Sequence, residues 1–298
     1  MKKYILLISI MVVSAFLVAD TSGEYGFQML KLHPTANSAG QAGLGAFSSG
    51  DALTFLTNPA SAVLKKKRVL SLSQNFWIVG TNINNLGYIY SSGKNSFGLG
   101  MTFVSYDEQD IRSDSGEFLG YFHPADINLA VNYGRRITPN HYVGLNLRGL
   151  YEKIYTASSI GYSVDFGYVY LTPIKDLKLA LAAKNFGDTS KMAEEKIELS
   201  QTFELSAIQK FTVGTIGNSA EIKVMKHIDD DEFKAALGIN SRLNRFLNFT
   251  IGYKINNDSE TLSAGFGVFY NKFILDYAFV PLQNELNIAH YISLSYKL

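Results

Sequence analysis

From Val69 to the end of the chain, apolar and small or polar residues alternate in segments of about ten, the period of a strand with two unlike faces. Phe97, Leu99, Met101 and Phe103 share one face, with Gly98, Gly100 and Thr102 on the other. The split recurs with Ile127, Leu129, Val131 and Tyr133 against Asn128, Ala130 and Asn132, and again with Leu247, Phe249, Ile251 and Tyr253 against Asn248, Thr250 and Gly252. Such segments run at 69–79, 82–91, 95–106, 125–136, 141–155, 158–171, 176–185, 200–211, 218–227, 232–243, 246–256, 260–270, 272–280 and 287–297. That pattern predicts about fourteen antiparallel strands, an even number suited to a closed barrel.

The second face decides between a soluble sandwich and a membrane barrel. A sandwich exposes Lys, Glu and Thr and turns its apolar residues to one core, whereas here the second face is Gly, Ser and Asn. In-strand charges lie on that small-residue face, among them Arg148, Glu152, Asp165, Lys178, Lys184, Glu204, Glu221 and Lys223. A transmembrane barrel puts them in its lumen, where they pair with one another or meet water. Connection lengths agree. The long connections Glu108–Pro124, Phe186–Glu198 and Val280–Leu286 follow strands three, seven and thirteen, while even-numbered connections are mostly tight turns. The fold class is therefore all-β, a transmembrane antiparallel β-barrel that occupies 69–298. Its last strand, with Ile288, His290, Ile292, Leu294 and Tyr296 on one face, is placed to pair with the first.

Composition adds the address. The start MKKYILLISIMVVSAFLVA has a basic tip at Lys2-Lys3, a short apolar run and Ala19, which reads as a signal peptide over 1–19 and an exported, outer-membrane protein. No later run approaches the ~20 apolar residues of a membrane helix. The 18 Tyr, 20 Phe and 25 Gly suit β-structure, and the net charge of +1 gives no field for nucleic acid. With no cysteine there is no disulfide or thiolate metal site.

Between signal and first strand, 20–68 shows no two-residue alternation, yet carries Leu44, Phe47, Leu53, Phe55 and Leu56. Gly43-Leu44-Gly45 begins a G-x-G pattern, but the third glycine comes at Gly50, out of place for a dinucleotide loop, and Pro59 cuts any following helix. The segment reads instead as a hatch inside or under the barrel. Gly40, Gly43 and Gly45 permit tight bends, Asp51 is placed to cap a short helix, and Asn58-Pro59 ends it. An apolar ligand pocket is expected beneath Leu53, Phe55 and Leu56, with the lumen charges satisfying the hatch backbone.

GEYGFQMLKLHPTANSAGQAGLGAFSSGDALTFLTNPAS, FHPADINLAVNYGRRI and YVGLNLRGLYEKIYTASSIGYSVDFGYVY together resemble the PorV/PorQ family, itself similar to the FadL-type transporters. The resemblance implies a FadL-like barrel associated with the type IX secretion system, which exports and anchors cargo proteins at the cell surface. Partners are then secretion-system or cargo proteins and outer-membrane lipid, docked through loop aromatics Phe118, Tyr121 and Phe122. The alternative is a transporter of hydrophobic small molecules such as fatty acids.

Neither reading calls for an enzyme or a cofactor. His33, His123, His141, His227 and His290 lack metal-ligand spacing and are expected in loops and at interfaces. Asp229-Asp230-Asp231-Glu232 lacks the glycine of a calcium loop and reads as an external turn. No metal site is expected.

Overall fold

The computed structural model describes residues 25–298 except 49, 229, 231 and 284–286; the signal segment lies outside the described residues. Fourteen antiparallel strands form a closed barrel. They are β1 (Lys67–Phe76), β2 (Asn82–Ser91), β3 (Asn95–Ser105), β4 (Ala125–Arg136), β5 (His141–Ile154), β6 (Ala157–Leu171), β7 (Leu177–Thr189), β8 (Thr202–Val213), β9 (Ile216–His227), β10 (Lys234–Arg242), β11 (Leu247–Ile255), β12 (Leu262–Tyr270), β13 (Phe273–Pro281) and β14 (Ile288–Lys297). Each pairs with its sequence neighbours. β14 returns to β1 through Leu72↔Leu294 and Phe76↔His290, so no edge is left open.

The faces are inverted relative to a soluble protein. Leu72, Phe97, Leu99 and Phe166 are each more than half exposed, whereas Asn132, Asn146 and Asp165 are fully buried. An unbroken apolar outer belt of this kind is stable only against hydrocarbon. Inward positions are small or hydrogen-bonded, which leaves interior space for more chain.

One end of the barrel carries the long connections. That between β3 and β4 holds a hairpin of strands Gln109–Arg112 and Phe118–Phe122, and that between β7 and β8 holds another, Lys191–Met192 with Glu195–Lys196. The other end has turns as short as Asn271-Lys272. A bulge between Ala183 and Phe186 interrupts the β6–β7 register. Asn185 sits there at φ 66, a conformation asparagine tolerates, with its N–H donating to Asp165 Oδ1 at 2.9 Å.

The N-terminal segment fills the lumen. It enters at the long-loop end, where Tyr25–Gly26 runs parallel to Glu198–Leu199, and leaves at the short-turn end into β1. Between lie a 3₁₀ turn (Gln28–Lys31), helix α1 (Ala36–Ala39), helix α2 (Thr54–Thr57) and a second 3₁₀ turn (Pro59–Val63). Thr35 caps α1 by accepting the Ser38 N–H. Asp51 does not cap α2 in the expected way. Leu53 holds the N-cap position, and Asp51 Oδ1 accepts the Leu53 N–H at 2.9 Å, which fixes the turn before the helix. Asn58 ends α2 and starts the next turn, its Oδ1 accepting the Ala60 N–H at 2.9 Å.

Candidate functional site: the hatch, the lumen wall and the cavity above

Irregular backbone at membrane depth must find its hydrogen bonds in protein. The barrel wall supplies them. Hydroxyls of Ser293, Ser263 and Ser71 accept the N–H groups of Ala36, Ala42 and Ala52 at 2.8, 2.9 and 2.8 Å. Asn132 and Asn146 each donate at 3.0 Å to the carbonyls of Pro59 and Phe55, and Asn58 Nδ2 donates back to the Leu181 carbonyl at 2.9 Å. Charged side chains do the same work. Glu221 Oε1 accepts from Gly45 and Ala46, Lys223 donates to the Gly43 carbonyl at 2.7 Å, and Glu152 Oε2 accepts the Phe27 N–H at 2.7 Å.

Wall glycines let the hatch approach. A Cβ on Gly144 would lie 2.2 Å from the Pro59 carbonyl carbon, and one on Gly252 would lie 2.4 Å from the Ala42 nitrogen. On the hatch side Gly43 has φ +81, and a Cβ there would strike the His33 ring. Gly40 and Gly45 are buried in the same stretch. The alternation of glycine with aromatics in the strands thus serves backbone-to-backbone contact with the hatch.

Of the expected lumen charges, Arg148 and Asp165 form a buried pair at 2.6 Å, and Arg148 also reaches the Leu56 carbonyl. Lys184 meets Glu204 at 2.7 Å. Glu152 anchors Phe27, whereas Lys178 sits near the short-turn mouth and, among the described residues, makes no hydrogen bond to the hatch. Phe118 and Tyr121 are exposed on the long-loop hairpin with rings 4.8 Å apart, and Phe122 packs on Tyr155.

Two expectations are corrected. Leu53 and Phe55 leave no pocket beneath them: both are fully buried, pressed on the wall at Gly87, Gly98 and Gly100. Only Leu56 borders open space. His33, expected in a loop or interface, lies inside the lumen, its side chain 12% exposed on the cavity. There Lys254 Nζ lies 3.0 Å and Glu260 Oε2 3.2 Å from the same ring nitrogen, Nε2. Lys254 also pairs with Glu260, so the consistent arrangement is a neutral imidazole accepting from the ammonium. Burial, and then the Lys254 charge, push the His33 pKa below its ordinary value. Burial works against the Glu260 carboxylate, yet the Lys254 ammonium that pairs with it holds it below the usual range. Sequence could not find this trio, because its members lie 221 and 227 residues from His33.

Above the hatch, toward the long loops, lies a cavity of about 230 Å³. Leu30, Leu32, Leu56, Trp77 and Met225 form its apolar wall. Met225 lies on the barrel wall beside a charged cluster: two ammonium groups share one carboxylate there, Lys184 at 2.7 Å and Lys223 at 3.8 Å from Glu204 Oε1. Among the described residues no group of His, Asp or Glu is arranged to hold a metal ion.

No family model matches the chain, and no curated protein matches it. Solved structures do. The CymD monoaromatic hydrocarbon channel aligns with TM-score 0.63 at 13% identity, over 89% of this chain and 98% of its own. The Pseudomonas putida toluene transporter TodX aligns with TM-score 0.61 at 12% identity, over 95% and 99%. A Pseudomonas aeruginosa FadL homologue aligns with TM-score 0.56 at 10% identity, over 89% and 98%. At such identities the likeness concerns architecture alone, and the architecture is that of the FadL-like outer-membrane barrels.

Proposed function

We propose that this chain resides in the outer membrane and passes small hydrophobic molecules across it, with the hatch as the barrier that must move; it performs no chemical step. The observation that carries the reading is the cavity lying directly on the hatch, apolar on the side of Leu30, Leu32, Leu56 and Trp77 and cationic on the side of Lys184 and Lys223. An apolar pocket with a few placed polar groups is the common form of a small-molecule site. Five lysines (Lys31, Lys184, Lys223, Lys234 and Lys254) against two glutamates (Glu204 and Glu260) along the cavity favour an amphiphile bearing a carboxylate, such as a fatty acid, over a neutral hydrocarbon. The fold shared with TodX and CymD supports this reading.

Trp77 is the chain's single tryptophan, so its fluorescence reports the cavity without labelling. Titration with a medium-chain fatty acid is expected to shift Trp77 emission saturably. Lys184→Gln, which makes no bond to the hatch among the described residues, should weaken that binding by about tenfold, the worth of one charge-assisted hydrogen bond, and leave the alcohol of equal chain length unaffected. An emission that neither ligand moves would rule out the cavity as the binding site.

A second reading, docking of secretion or cargo proteins, is motivated by the PorV/PorQ resemblance and by one structural feature. Phe118, Leu119 and Tyr121 are 46%, 61% and 56% exposed on a hairpin paired outside the barrel sheet, and aromatic anchors of that kind suit an interface.

A further inference from the structure

The net charge of +1 conceals a strong polarity along the barrel axis. Carboxylates gather at the long-loop end, with Asp107, Glu108, Asp110, Asp114 and Glu117 on one connection alone. The short-turn end is basic. Among the described residues its exposed acidic side chain is Asp176, in the turn between β6 and β7.

Two groups of cations stand out there. One faces the mouth: Lys65, Lys210 and Lys297, with Arg242 lying 3.6 Å from the Phe269 ring and Arg245 4.5 Å from the ring of Phe246, which pairs with Phe269 on the inward face of Asn248. The other faces outward at the border of the apolar belt. Arg68 shares the outer face of β1 with Leu70 and Leu72, and Arg135 that of β4 with Val131 and Tyr133. Lys272 stands in the β12–β13 turn beside Tyr296, on the outer face of β14. Two of these are seated on aromatic rings: Arg68 lies 5.0 Å from the Tyr90 centroid and Lys272 5.8 Å from Tyr296. Aromatic rings at the rim of an apolar belt mark headgroup depth, and stacking holds each cation there. Among the described residues none of the three forms a salt bridge. In strand order they lie along one side of the rim, from the β12–β13 turn through the β14–β1 seam to β4.

We infer that this arc, Arg68, Arg135 and Lys272, binds the headgroups of anionic phospholipids in the leaflet at the short-turn end. The inference rests on the membrane placement above and not on the ligand that crosses. Charge complementarity names the occupant: fixed, outward, unpaired cations continuous with the lipid-facing belt meet phosphate before anything else. A protein partner at the same end would instead meet the mouth cations first.

The test reconstitutes the full chain in vesicles of phosphatidylcholine alone and of equimolar phosphatidylcholine and phosphatidylglycerol. Lipid retained on the protein is read by native mass spectrometry, and the thermal midpoint is read in each vesicle. In the mixture the wild type should retain phosphatidylglycerol in about fivefold excess over its bulk share, and should melt several degrees higher than in phosphatidylcholine. Molar salt should abolish both effects on the wild type, a control that needs no variant. The combined Arg68→Gln, Arg135→Gln and Lys272→Gln protein should insert into phosphatidylcholine as before and lose both effects. No enrichment in the wild type, or enrichment that this variant keeps, overturns the inference. Loss in a Lys65→Gln, Lys210→Gln, Lys297→Gln protein with retention in the rim variant also overturns it, since the anion would then sit at the mouth. A failure of the transport reading is registered separately by Trp77.

Discussion

Gly144 shows how much of this molecule depends on the absence of a methyl group. A Cβ there falls on the Pro59 peptide, backbone against backbone, so relief requires the hatch to move. Gly144→Ala is expected to weaken hatch seating by about 1–3 kcal/mol, the usual cost of overpacking. The strands would remain, because the outward neighbours Val143 and Leu145 are untouched. Single-channel recording should show more frequent openings in Gly144→Ala and likewise in Gly252→Ala, and closed behaviour equal to the wild type would contradict the contact. His33 supplies a pH dependence at the same scale. Its seated pKa is lowered, below the ~6.5 of a free imidazole, so the released hatch takes up the proton more readily. The seated state therefore keeps its full stability above about pH 6.5 and loses it as pH falls below that value. Asp51 opposes this: burial raises its pKa, which favours the seated state at low pH. The comparison that isolates the histidine is wild type against His33→Gln, with acid-induced conductance expected to be smaller in the variant.

At the scale of the element, the hatch is a set of short turns that could not hold their shape alone. Four-residue helices fall far below the length at which an isolated helix is stable, and each is held instead by side chains from the surrounding strands. Removing Ala39–Ala62 strips the partners of Glu221, Lys223, Asn132 and Asn146 and should open a water path through the lumen. Conductance in planar bilayers is expected to rise to a stable open level while circular dichroism keeps its strand signal. Equal conductance before and after would place the barrier elsewhere. The bulge in β7 belongs to the same interplay, since it lets Lys184 and the adjacent Asn185 both contact the interior, one at Glu204 and the other at the Ser200 carbonyl.

On the scale of the whole molecule, barrel, hatch and loops divide the work. The hairpin from Gln109 to Phe122 makes its strand pairing within itself and outside the fourteen-strand barrel. Deleting Asp114–Phe122 should therefore leave the thermal midpoint and Trp77 ligand binding unchanged. Under the transport reading surface display of other proteins is also unchanged, whereas its loss would favour the docking reading. One measurement separates the two functions.

Much of this architecture was written in the local order of residues. A side-chain period of two, turn residues at regular intervals and the parity of long connections depend on neighbours along the chain, so all fourteen strands and the inward face of Arg148, Asp165 and Lys184 were legible without coordinates. The hatch was legible as a segment lacking that period, and Gly43 and Gly45 as points of tight bending, where φ is +81 and +134. Which groups meet was not. The sharing of Nε2 of His33 by Lys254 and Glu260, the grip of Glu221 on Gly45 and Ala46, and the filling of the space under Leu53 and Phe55 each depend on chain closure over many residues. The polarity of charge along the axis was hidden for the same reason. Lys65, Arg135, Arg245 and Lys272 are scattered in sequence, and only the up-and-down closure of the barrel carries them all to one end.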